Sequence, residues 1–171
     1  MRKFAALLCV SLLPSLAPAA VTDVESAEIY SGVIARMVTA DNSYARDLKT
    51  QRVVVEQAVL ANCVHSSHCE DKIVGTLSEE ARHEIQVRLA QAGITVGFVD
   101  ARQSNLARFS DSPDDHVHVL SLREIEFGTP GTASVNAKIL SNVRAGTENH
   151  YEFHKEAGHW KLLKMVPLWI A

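Results

Sequence analysis

Residues 132–170 read TASVNAKILSNVRAGTENHYEFHKEAGHWKLLKMVPLWI, and the alternation inside this stretch decides the fold. Ala133, Val135, Ala137, Ile139 and Val143 alternate with Ser134, Asn136, Lys138 and Asn142, the period-two pattern of a strand with one face buried. Tyr151 and Phe153 alternate with His150, Glu152 and His154 in the same way. Gly128-Thr129-Pro130-Gly131, Ala145-Gly146-Thr147 and Ala157-Gly158 supply turn residues between the runs. Four strands are therefore predicted, over 116–127, 132–144, 148–156 and 159–170, as an antiparallel meander with one face against helices.

Upstream of the meander the period changes. Thr22 with Glu25 has the form of a capping box, and Ala27, Tyr30, Val33, Ile34, Met37 and Val38 recur at helical spacing, which predicts a helix over 23–41. Val53-Val54-Val55 with Ala58-Val59-Leu60 predicts a strand. A second helix is expected over 78–92, with Ser78 or Thr76 as cap, Ala81, Ile85, Leu89 and Ala92 on one face and Gly93 as stop. Thr95 to Val99 reads as a short strand. The polar run from Asp100 to Asp115 reads as a loop.

The chain opens with a secretory pattern: Arg2 and Lys3, an apolar run from Phe4 to Leu13, then Ala17-Pro18-Ala19 as a small-residue cleavage site. The apolar run falls short of the ~20 residues a membrane span needs. The expectation is a signal peptide over 1–20, one α+β domain over 21–171, no membrane span after its removal, and a periplasmic or secreted location. Losing Arg2 and Lys3 takes the basic count from 17 to 15 against 20 acidic residues, a formal charge of −5. With no cluster of Lys and Arg to neutralise phosphates, nucleic acid is a poor partner.

Cys9 lies in the leader, so Cys63 and Cys69 remain, in the sequence Cys63-Val-His65-Ser-Ser-His68-Cys69. In an oxidising compartment the two thiols can close a small disulfide loop. The same four side chains, Cys63, His65, His68 and Cys69, are also the right donors for zinc or copper. His150 and His154 share a strand face, but four residues of strand span about 13 Å, too far for one metal ion. No phosphate loop, nucleophile elbow or His-Glu-x-x-His pair is present.

Helices followed by a long meander ending HYEFHKEAGHWKLLKMVPLWIA resemble the nuclear-transport-factor-2-like, or SnoaL-like, superfamily, over residues 23–171. The resemblance implies N-terminal helices packed on a curved antiparallel sheet, a cone-like, cystatin-like roll. Members use the cone as a pocket for isomerase or cyclase chemistry, or serve as non-catalytic binding and assembly modules. No catalytic residue carries over. Candidates for lining such a pocket are Tyr30, Asp41, Tyr44 and Asp100, with Asp47 nearby. Four functions stay open: an exported non-catalytic module for a small molecule or protein, favoured over an isomerase- or cyclase-type enzyme, an immunity-type protective protein, and metal handling through the cysteine loop. No cofactor is expected, and a homodimer through the sheet, with Trp169 on the last strand, is one arrangement open to the chain.

Overall fold

The computed structural model describes residues 22–42, 48, 52–62, 71–100, 117–142 and 145–170. The expected signal peptide, Tyr44, Asp47, and the segment holding Cys63, His65, His68 and Cys69 lie outside these residues.

Among the described residues, two helices and eight strands make an α+β domain. Helix α1 (Asp23–Thr39) begins where Thr22 Oγ1 accepts the backbone N–H of Glu25, which satisfies one of the donors a helix start leaves free. The Glu25 carboxylate reaches back to the Thr22 backbone, the reciprocal half of the box, and also accepts from Lys155 Nζ. Helix α2 (Glu79–Gln91) starts at Ser78, whose hydroxyl accepts from Ala81 N, and its chain turns at Gly93 with a positive φ of 71°. Ser78 Oγ also donates to Asp23, which ties the two helix starts together.

The strands are β1 (Arg52–Leu60), β2 (Ile73–Thr76), β3 (Gly97–Val99), β4 (Val117–Arg123), β5 (Glu126–Phe127), β6 (Thr132–Asn142), β7 (Ala145–Glu156) and β8 (His159–Ile170). They form one sheet in the order β2-β1-β4-β6-β7-β8, with β3 against β1 and β5 against β6. The expected meander is present as β4-β6-β7-β8. The sheet as a whole is mixed, however, because β1 runs parallel to both β4 and β3.

Three local expectations are corrected. The run 116–127 is broken, since Glu124 leaves β4 to donate its backbone N–H to Leu60 O, and only Glu126 and Phe127 rejoin the sheet against β6. Ala145-Gly146-Thr147 is not a turn but the start of β7, with Gly146 opposite Leu140 and Thr147 opposite Ile139. A strand that alternation did not reveal, β2, pairs with β1.

Tyr30, Val33, Ile34 and Met37 of α1 pack with Leu120, Leu122, Val135, Ala137, Ile139, Tyr151 and Phe153 of the sheet's inner face, and Ile85 and Leu89 of α2 join the same core. Most of these side chains are fully shielded from water, so their burial supplies most of the driving force for folding. Val54, Val117 and Val119 form a smaller cluster on the opposite face. Among the described residues no helix is long and apolar enough to cross a membrane.

Candidate functional site

Polar side chains enter the interior at the C-terminal end of α1. The helix ends where the N–H groups of Ala40 and Asp41 both turn back to Arg36 O, which swings the Asp41 carboxylate beside the Arg36 side chain. Arg36 Nε donates to Asp41 Oδ2 at 2.9 Å and Arg36 Nη2 to Oδ1 at 2.8 Å, a bidentate pair that occupies both carboxylate oxygens. That hydrogen bond holds the guanidinium more firmly charged than usual. Asn42 Nδ2 donates to Met37 O at 3.0 Å and caps a carbonyl of the last helical turn.

The sheet meets this group through β7. Asn149 lies on the inner face, two residues from Tyr151, and its Nδ2 donates to Asp41 O at 2.7 Å and lies 3.3 Å from Tyr151 Oη. Thr147, next along the same face, donates to Trp169 O at 3.0 Å. Burial pushes the Tyr151 phenol well above the ordinary tyrosine range, so it stays protonated through neutral pH. Asp41, Asn149 and Tyr151 are thus bonded to one another in the interior, and Arg36, its side chain 47% exposed, closes over Asp41 from the solvent side.

A second network sits on the outer face. Arg123, 3% exposed, donates through Nε to Glu148 Oε1 at 2.7 Å, through Nη1 to Ala61 O at 2.8 Å and through Nη2 to Asp71 Oδ1 at 3.3 Å. Lys138 Nζ reaches the other Asp71 oxygen at 2.8 Å, and Trp169 Nε1 donates to Glu148 Oε2 at 2.8 Å. These bonds join β4, β6, β7 and β8 to the stem of the β1–β2 hairpin, where Ala61 N donates to Lys72 O.

Of the pocket candidates, Asp41 belongs to the interior cluster. Tyr30 does not: its hydroxyl donates to Arg123 O at 3.1 Å, and the helix from Tyr30 to its end at Thr39 sets it on the order of 14 Å from the end where Asp41 lies. Asp100 is exposed, just after β3. The sequence did not single out Asn149, Tyr151, Arg36, Arg123 or Glu148. A signal existed for Asn149, which occupies an inward register otherwise filled by Tyr151 and Phe153.

Among the described residues no group of three or more His, Cys, Asp or Glu side chains could hold a metal ion. His150 Nδ1 lies 2.6 Å from Asn136 Oδ1, and His154 points along the same outer face beside Glu156. Compared with protein-family models, with curated proteins and with solved structures, the chain matches none.

Proposed function

We propose that this chain is an exported, non-catalytic binding or assembly module of the nuclear-transport-factor-2-like kind. The carrying observation is the state of the interior between α1 and the sheet. Among the described residues its walls are apolar side chains in mutual contact, and the Asp41 carboxylate and Asn149 amide that enter it are bonded to neighbouring groups. Acid-base catalysis asks for the reverse: a carboxylate or imidazole left free to meet a substrate proton. In this chain Asp41 has both oxygens held by Arg36, and Tyr151 is fixed as a neutral phenol.

The test is a titration with an apolar fluorescent probe and a panel of ketosteroid- and polyketide-like compounds. A filled interior gives no saturable one-to-one binding and no turnover. Turnover that Asp41→Asn abolishes in a protein of unchanged fold would overturn the reading.

Export is the remaining part of the proposal, and it rests on the leader pattern at residues 1–20. Sequencing the N-terminus of protein expressed with its leader should find Ala20 or Val21. The disulfide reading of Cys63 and Cys69 goes with it, and intact-mass measurement distinguishes a lost pair of hydrogens from free thiols that retain zinc or copper.

A further inference from the structure

We draw no further inference here: the strongest candidate, the apolar patch of Leu163, Leu168 and Ile170 exposed along the edge strand β8, carries nothing because nothing in the structure shows what covers it.

Discussion

Arg123 on β4 and Glu148 on β7 form a 2.7 Å ion pair that is shielded from water, although β6 runs between their strands. Taking one partner away strands the other charge in a dry site, which typically costs about 3–5 kcal/mol. Arg123→Ala should therefore be among the most destabilising single changes in the chain, by chemical denaturation. Combining Arg123→Met with Glu148→Leu should recover much of that loss, because an apolar pair of similar volume leaves no charge uncompensated.

Tyr30 responds to alkali. Burial raises its phenol above the ordinary value of 10.0, whereas in the unfolded chain it ionises near that value. Above pH 10 the native state holds more protons than the unfolded one, so stability is complete below about pH 10 and falls as pH rises beyond it. Tyr151 acts in the same direction. In Tyr30→Phe the alkaline loss should be shallower, and at neutral pH the variant should be weaker by about 1 kcal/mol for the lost hydrogen bond to Arg123 O. Urea midpoints across pH 7 to 11 check both statements.

Glu25 responds to acid. Its hydrogen bond to Lys155 holds its carboxyl below the usual value of 4.5. In that window the unfolded state binds more protons, so the contribution is present above about pH 4.5 and lost as pH falls further. The pair is exposed and its energy small. Comparing Glu25→Gln with wild type by thermal midpoint at pH 7 and pH 3 should show a difference that shrinks in acid and in high salt.

Gly146 has no room for a side chain. A Cβ there would strike Leu140 Cδ2, approach Ile139 O at 2.8 Å and Trp169 at 3.2 Å. Gly146→Ala should destabilise by about 1–3 kcal/mol through overpacking, with Gly75→Ala, where nothing lies within 4 Å, as the control of small effect.

Gly146 also shows why some elements were legible in the sequence and others were not. A glycine between alanine and threonine after a long strand reads as a turn, yet here it is a strand residue crowded from across the sheet, which local sequence does not record. The meander was legible because Ala133 to Ile139 and Tyr151 to Phe153 write their buried face at period two. Helix starts at Thr22 and Ser78 were legible because capping is a contact between near neighbours.

The parallel pairing of Val54 with Val119 was not legible, since nothing in either segment names a partner 65 residues away. The unbroken run Val53-Val54-Val55 did carry its trace, because a strand covered on both faces needs apolar residues without alternation. Strand β2 is four exposed residues and carries no pattern of burial. Of the interior cluster, only Asp41 was anticipated. Arg36 and Asn149 look ordinary until the helix end and β7 are brought together.

The contacts that hold α1 span most of the chain. Asn149 reaches back 112 residues to Met37, and Lys155 reaches back 130 to Glu25. The docking of α1 is therefore a long-range event, joined by strands more than a hundred residues away. Contacts of such sequence separation slow folding, because the entropy of closing the long intervening chain must be spent before they form.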